Sequence, residues 1–117
     1  MAPSSRKLPA ADRAVVESTK VAGYLLNPSH PDNGGKARFF EAVGFPASEP
    51  ALLVAALKGL AISGEVVLQV ASAHGQKYVV DGHLESPGGR QPFVRAVWIV
   101  DQGQERPRLV TAYPREE

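Results

Sequence analysis

Five polar residues of this chain carry side chains that together could act on a phosphate ester. His30 lies in a proline-rich turn, and Lys36 follows a Gly-Gly pair at the start of a predicted helix. Arg95, Thr111 and Tyr113 lie on strands predicted in the second half of the chain. Histidine exchanges protons near neutral pH, a guanidinium can hold a phosphate through two hydrogen bonds, and a helix N-terminus attracts anions. The set therefore indicates a catalytic site for phosphate chemistry.

Three of these residues also have an ordinary structural interpretation. His30 is consistent with a plain exposed loop residue, and Lys36 with a common first-turn lysine. Arg95 is expected opposite Asp81, and the two could simply form a cross-strand ion pair worth roughly 0.2–1 kcal/mol on a solvated sheet surface. Both interpretations stay open from the sequence.

The composition excludes several classes of site. The chain has no cysteine, so disulfides, thiolate–metal sites and cysteine nucleophiles are excluded. The three histidines are scattered without acidic residues at ligand spacing, so we expect no metal and no other cofactor. A net charge of +1 argues against nucleic-acid binding by bulk charge, although a local cationic pocket would suffice for an enzyme. The basic N-terminus lacks a following apolar run, and no stretch is long enough to span a membrane. We therefore expect a cytoplasmic protein without membrane contact, although a toxin domain cut from a larger secreted chain would look the same.

The hydrophobic pattern divides the chain into two halves. Helical spacing predicts helices from about 18 to 26, 36 to 43 and 48 to 63, whereas a period of two after residue 65 predicts four strands joined by short, glycine-containing hairpin loops. We expect a flexible N-terminal tail over residues 1–11 and a single domain over residues 12–117. The predicted fold class is α+β, with two to three N-terminal helices packed on one face of a four-stranded antiparallel β-meander.

The strand register is predicted from the separation of apolar and polar side chains. Closing the three hairpins so that Ala73 faces Lys77, Glu85 faces Gln91 and Val100 faces Arg108 places the apolar residues on one face. These inward residues are Val66, Leu68, Val70, Tyr78, Val80, Leu84, Val94, Ala96, Trp98, Val100, Val110 and Ala112. The open face then carries Gln69, Asp81, His83, Arg95, Thr111 and Tyr113, with Asp81 opposite both Gln69 and Arg95, and Arg95 opposite Tyr113.

Three blocks of the sequence resemble an uncharacterised family of small bacterial domains. They read YLLNPSHP (24–31) running into KARFF (36–40), GQKYVV (75–80), and VRAVW (94–98) ending in PRLVTAYP (107–114). The layout of helices followed by a meander is similar to the barnase–EndoU–colicin–RelE class of ribonuclease folds, many of which are toxins paired with an antitoxin or immunity protein. In that class, a helical His or Lys meets Arg, Thr/Ser or Tyr from the strands. The resemblance implies these roles for His30, Lys36, Arg95, Thr111 and Tyr113. No histidine–glutamate pair lies on the strands as in the barnase-like members.

These considerations predict a metal-independent endoribonuclease of toxin type that cleaves RNA through its 2′-hydroxyl. His30 would be the general base or acid, Lys36 and Arg95 would stabilise the transition state, and Thr111 and Tyr113 would hold the phosphate or the leaving oxygen. An antitoxin or immunity protein is an expected partner. The alternative is a non-catalytic interaction module of such a two-gene system, with Arg95 and Tyr113 as interface anchors.

Overall fold

The structure is a computed structural model that describes residues 6–116. A 3₁₀ helix (Ala11–Arg13) precedes three helical elements, namely α1 (Ser18–Lys20, continued by a π-helical turn over Val21–Leu25), α2 (Lys36–Ala42) and α3 (Pro50–Ser63). Four strands follow, β1 (Glu65–Ser72), β2 (Gly75–His83), β3 (Phe93–Asp101) and β4 (Arg108–Pro114). They form one antiparallel sheet in the order β1-β2-β3-β4. The predicted α+β class and meander are confirmed.

The helices begin and end near the predicted residues, with one change of geometry. In the second half of α1 the N–H of Leu26 donates to the carbonyl of Val21 at 2.8 Å, a five-residue spacing that widens the helix into a π turn. Helix α2 begins after Gly35, whose φ of 87° is in the left-handed region. Helix α3 has Pro50 in its first turn, where the missing N–H costs nothing.

The central register of the sheet is as predicted. Asp81 lies opposite Arg95 in the β2–β3 pair, and Arg95 lies opposite Tyr113 in the β3–β4 pair. Val97 lies opposite Thr111. Because side chains of paired residues share a face, these residues occupy one side of the sheet together.

The predicted β1–β2 register is wrong. Ser72 lies opposite Gly75 across a tight turn, and a bulge between Val66 and Leu68 shifts the pairing again. Gln69 therefore faces Tyr78 and not Asp81. The shift also turns Leu68 and Val70, which we expected inside, into side chains that are 53% and 44% exposed.

The predicted register is also wrong at one end of the β3–β4 pair, where a second bulge lies between Val97 and Trp98. Beyond it Arg108 lies opposite Ile99, where we expected Val100. The extra residue exchanges the two faces of β4. Leu109 is consequently buried, while Val110, predicted to point inward, is half-buried.

The core lies between the helices and one face of the sheet. Seven residues predicted to face inward are buried there: Val66, Val80, Leu84, Val94, Ala96, Trp98 and Ala112. The helical side contributes Val21, Leu25, Phe40, Phe45, Leu53, Leu57 and Leu60. Packing of these apolar side chains is what fixes α1 and α2 beside the sheet.

The segment before the first helix packs against the domain. Leu8 is buried in the core, and the carbonyl of Arg6 accepts a hydrogen bond of 2.8 Å from the N–H of Val66. Val15 forms an isolated parallel bridge to Arg108 at the start of β4. Residues 6–11 of the expected tail thus have defined contacts, and residues 1–5 lie outside the described residues. Within residues 6–116, none of the helices combines the length and apolarity needed to cross a membrane.

Candidate functional site

An open cleft of about 750 Å³ lies between α1, the loop before α2, and β4. We call it the Tyr24 cleft because Tyr24, on the π turn, contacts residues from both sides. The Tyr24 hydroxyl and Thr111 Oγ1 are hydrogen-bonded at 3.0 Å, and the Tyr24 and His30 rings lie 4.9 Å apart between centroids. The cleft is lined by Glu17, Thr19, Lys20, Gly23, Tyr24, His30, Asp32, Arg108, Val110 and Thr111.

Two ammonium groups surround the Tyr24 ring. Lys20 Nζ lies 5.8 Å and Lys36 Nζ 5.4 Å from the ring centroid, within the range of cation–π attraction. Lys20 Nζ also donates to the carbonyl of Val110 at 3.2 Å, and Lys36 Nζ donates to the carbonyls of Asp32 and Asn33. Lys20 is thereby held in the lining of the cleft, whereas Lys36 is held beside Tyr24 and is not itself a lining residue. The lining also contains two carboxylates, Glu17 and Asp32.

The imidazole of His30 is fixed by its own turn. Its Nδ1 accepts a hydrogen bond of 3.0 Å from the backbone N–H of Asp32. A nitrogen that accepts carries no proton, so the neutral ring in this arrangement holds its proton on Nε2. His30 is therefore set up as a donor through Nε2, and it can accept a proton there only as the other tautomer, with the Asp32 contact opened.

Asn33 connects the two segments that carry the cationic groups. Its side chain is buried, and its Nδ2 donates to the carbonyls of Tyr24 and Leu25 at 2.6 and 3.3 Å. Its Oδ1 accepts the N–H of Ala37 in the first turn of α2 at 2.9 Å. One buried amide thus ties the end of the π turn to the start of α2, which places His30 and Lys36 beside Tyr24.

Arg95 and Tyr113 form a second group on the open face next to the cleft. Arg95 makes a bidentate ion pair with Asp81, Nε to Oδ1 at 2.7 Å and Nη2 to Oδ2 at 2.8 Å. The hydrogen bonds to Asp81, aided by Tyr113, raise the pKa of Arg95 above its ordinary value against the opposing effect of burial. Tyr113 follows Thr111 by two residues on β4, so the group adjoins the cleft at a distance of about 7 Å along the strand.

A second carboxylate–guanidinium pair borders the cleft at the start of β4. Arg108 donates to Asp101 through Nε at 2.6 Å and through Nη2 at 3.1 Å. The hydrogen bond from Arg108 lowers the pKa of the Asp101 carboxyl, and the same bond raises the pKa of Arg108. The guanidinium of Arg108 is therefore held by Asp101 of the adjacent strand β3.

The five predicted residues are thus arranged as two adjoining groups. His30, Lys36 and Thr111 meet around Tyr24, whereas Arg95 and Tyr113 accompany Asp81. Sequence reasoning did not select Tyr24, Lys20 or Asn33. The signal for Tyr24 was its place in the same block as His30; the amide of Asn33 looked like one more turn residue. Within residues 6–116, no group of three or more His, Asp or Glu side chains could hold a metal ion.

The structure is a small α+β domain with an open cleft, lined by basic and acidic side chains, beside a β-meander. The chain belongs to the family described as "Domain of unknown function (DUF6883)", whose model matches residues 7–116. No curated protein matches the chain.

A similar solved structure is a chain of the "Contact-dependent growth inhibition toxin - immunity protein complex from Klebsiella pneumoniae 342". The two chains superpose with a TM-score of 0.68 at 15% sequence identity, over 92% of this chain and 97% of that chain. At this identity the similarity establishes a common fold.

Proposed function

We propose that this protein is a metal-independent endoribonuclease of toxin type, and that the Tyr24 cleft is its active site. The observation that carries the proposal is the gathering of an imidazole and two ammonium groups around Tyr24, whose hydroxyl bonds Thr111. Such a cluster offers positive charge, a proton carrier and hydroxyl groups in one open cleft. These are the groups that phosphoryl transfer without a metal requires.

The reaction proposed is attack of the RNA 2′-hydroxyl on the adjacent phosphorus. The O2′–P bond forms and the P–O5′ bond breaks, which leaves a 2′,3′-cyclic phosphate and a 5′-hydroxyl. One proton leaves the 2′-hydroxyl and one joins the departing O5′, so no water or co-reactant is consumed. Lys20 and Lys36 would stabilise the negative charge that builds on the phosphate oxygens, and Thr111 would position one of them.

His30 is the proposed proton carrier, and its hydrogen bond sets the condition for each role. With Nδ1 engaged by Asp32 the ring is neutral, and its Nε2–H would donate a hydrogen bond to a phosphate oxygen. Giving a proton to the leaving O5′ would require the imidazolium, with Nδ1 protonated as well and the Asp32 contact opened. Accepting the 2′-hydroxyl proton at Nε2 requires the other tautomer, and hence an opening of the turn at Asp32. We propose that substrate binding opens this contact when His30 acts as the base.

Arg95 and Tyr113 are proposed to contact the substrate phosphate at the edge of the site. Asp81 takes Nε and one Nη2 hydrogen of Arg95, which leaves Nη1 to contact a phosphate. Because its charge is shared with Asp81, we expect Arg95 to contribute less than Lys36. Tyr113 would hold the phosphate through its hydroxyl.

The similar fold of a chain in a toxin–immunity complex supports a role in such a system, as toxin or as immunity protein, and the Tyr24 cleft is the reason for proposing the toxin. By analogy, an antitoxin or immunity protein is the proposed partner. A second candidate function, a non-catalytic interaction module, is favoured by a different surface. Leu68 and Val70 on the outer strand β1 are about half exposed, as in strands that dock against another protein.

The proposal is tested with purified protein, total RNA and EDTA. We expect cleavage into fragments with 5′-hydroxyl ends, and we expect Lys36→Met and His30→Ala each to reduce the rate by about 100-fold or more. Lys58→Met is the matched control, because Lys58 is exposed on α3, an element that contributes no residue to the lining of the cleft and no cation to the Tyr24 ring. Its rate should equal that of the wild type.

Two outcomes would reject the ribonuclease in favour of the interaction module. One is RNA that stays intact both with EDTA and with added divalent metal. The other is cleavage that Lys36→Met and Lys58→Met leave equally unchanged, since the activity would then come from elsewhere.

A further inference from the structure

The open face of the sheet carries a block of aromatic and cationic side chains next to the Tyr24 cleft. The row at the end of the sheet contains His83, Phe93 and Arg115. His83 lies opposite Phe93, and the N–H of Arg115 donates to the carbonyl of Phe93 at 3.0 Å. The next row contains Arg95 and Tyr113. We call Phe93, His83, Tyr113 and Arg95 the stacking face.

Phe93 and Tyr113 lie on the side of the sheet that the helices leave uncovered, whereas His83, at the end of β2, also lines a cleft with residues of α3. His83 is exposed, and Phe93 and Tyr113 are half exposed. The His83 and Phe93 rings are 5.2 Å apart between centroids and inclined at 59°, so they contact each other at an angle and do not form one flat surface. Because Phe93 and Tyr113 are half exposed, part of each of these two rings is available to a flat ligand.

Arg95 adds a fixed plane to this surface. Its bidentate pairing with Asp81 restrains the guanidinium, and a planar guanidinium stacks on aromatic groups. Asp81 neutralises Arg95, so the cations left for a polyanion are Arg115 at the outer edge of the face and, beyond Thr111, Lys20 and Lys36 beside the Tyr24 ring.

We propose that the stacking face binds successive bases of a single-stranded nucleic acid, while the flanking cations contact its phosphates. The proposal rests on the proposed function in that it gives the substrate class of that site, namely unpaired RNA leading into the Tyr24 cleft. Bases stacked on aromatic side chains are held with little sequence preference, because each base presents a π face. The face would therefore supply affinity and direction, and the cleft would supply the chemistry.

The simpler interpretation is a set of cross-strand pairs that stabilise the sheet without binding anything. The two interpretations differ in what they predict for a nucleic acid that cannot be cleaved. Single-stranded DNA lacks the 2′-hydroxyl, so its binding reports on the face independently of any ribonuclease activity.

The test is fluorescence anisotropy with a labelled 12-nucleotide single-stranded DNA of mixed sequence. We expect the wild type to bind, and Phe93→Leu and Tyr113→Leu each to raise the Kd by roughly 5- to 150-fold, the range for one lost stacking partner. Phe39→Leu is the matched control, because Phe39 is a half-buried ring on α2 away from this face, and its Kd should stay at the wild-type value.

The proposal is overturned if the wild type binds no single-stranded DNA, as expected of a face that docks a protein, or if Phe93→Leu binds as tightly as Phe39→Leu. The two proposals fail separately. Ring-dependent binding of DNA without any cleavage of RNA would reject the ribonuclease and keep the stacking face. Cleavage of RNA with no effect of Phe93→Leu on DNA binding would reject the stacking face and keep the ribonuclease.

Discussion

Asn33 offers the sharpest test of how the cleft is assembled, because one buried amide makes three hydrogen bonds to two segments. Asn33→Ala removes all three. The Ala37 N–H then loses a partner of the capping kind, worth about 1 kcal/mol, and two carbonyls lose their donor at about 1–3 kcal/mol in total. The free energy of unfolding should fall by about 2–4 kcal/mol, with a fall in Tm of roughly 10 °C.

Asn33→Asp separates the donor from the acceptor in this network. The introduced carboxylate can still accept the Ala37 N–H, but it turns an oxygen toward the carbonyls of Tyr24 and Leu25. That contact favours the neutral acid, so the folded-state pKa of the introduced carboxyl should lie above its unfolded value of about 3.9. A raised folded-state pKa gives a penalty that is small below pH 4 and grows as the pH rises toward 7.

The assay is urea denaturation of the wild type and both variants at pH 4, 5.5 and 7, provided that the wild type remains folded throughout. We expect Asn33→Asp to approach the wild type at pH 4 and to fall behind at pH 7, while the deficit of Asn33→Ala should be less dependent on pH. If both variants stay within about 0.5 kcal/mol of the wild type at pH 7, the account of Asn33 as the tie between α1 and α2 is wrong.

Two further predictions concern the sheet. In thermal unfolding, Gly75→Ala should destabilise the fold by about 3 kcal/mol or more, because φ is 146° and a Cβ would lie 2.1 Å from the carbonyl oxygen of Val100. Gly103→Ala is the comparison: its φ is 83° but the space around it is open, so it should cost only about 1–2 kcal/mol in the same assay. Asp101→Asn removes a carboxyl whose pKa is lowered by Arg108, and a lowered folded-state pKa stabilises above the unfolded pKa. The wild type should therefore exceed this variant in stability at pH 7 and lose that advantage as the pH falls below 4; an unchanged difference would contradict the pairing.

The sequence was sufficient for the fold class and for the central register, but not for the two bulges. Alternation fixes the β2–β3 pair because Asp81 and Arg95 would otherwise face the core. It does not fix β1, where consecutive apolar residues from Val66 to Leu68 fit either face and allow an extra residue. Leu109 and Val110 pose the same ambiguity in β4, so Val110 was predicted inside.

The sequence pointed to some residues of the candidate site and missed others, because the missed contacts depend on helix geometry. His30 and Thr111 were chosen for their chemistry, and the structure places both against Tyr24. The contribution of Tyr24 depends on the π turn, because the wider turn alters the direction of the residues on it, and no sequence pattern used for helices marks such a turn. The position of Arg95 opposite Asp81 was predicted, whereas their ion pair was one of two interpretations that the sequence left open.

The most direct test of the proposed chemistry uses two oligonucleotides of one sequence in EDTA, one entirely RNA and the other with a single 2′-deoxynucleotide on the 5′ side of the bond that the protein cleaves. The account predicts that the RNA is cut at that bond to a 2′,3′-cyclic phosphate and a 5′-hydroxyl, while the deoxy-substituted strand stays intact there. Cutting of both strands at that bond would contradict the account. So would a protein that cuts neither of these strands nor any other RNA.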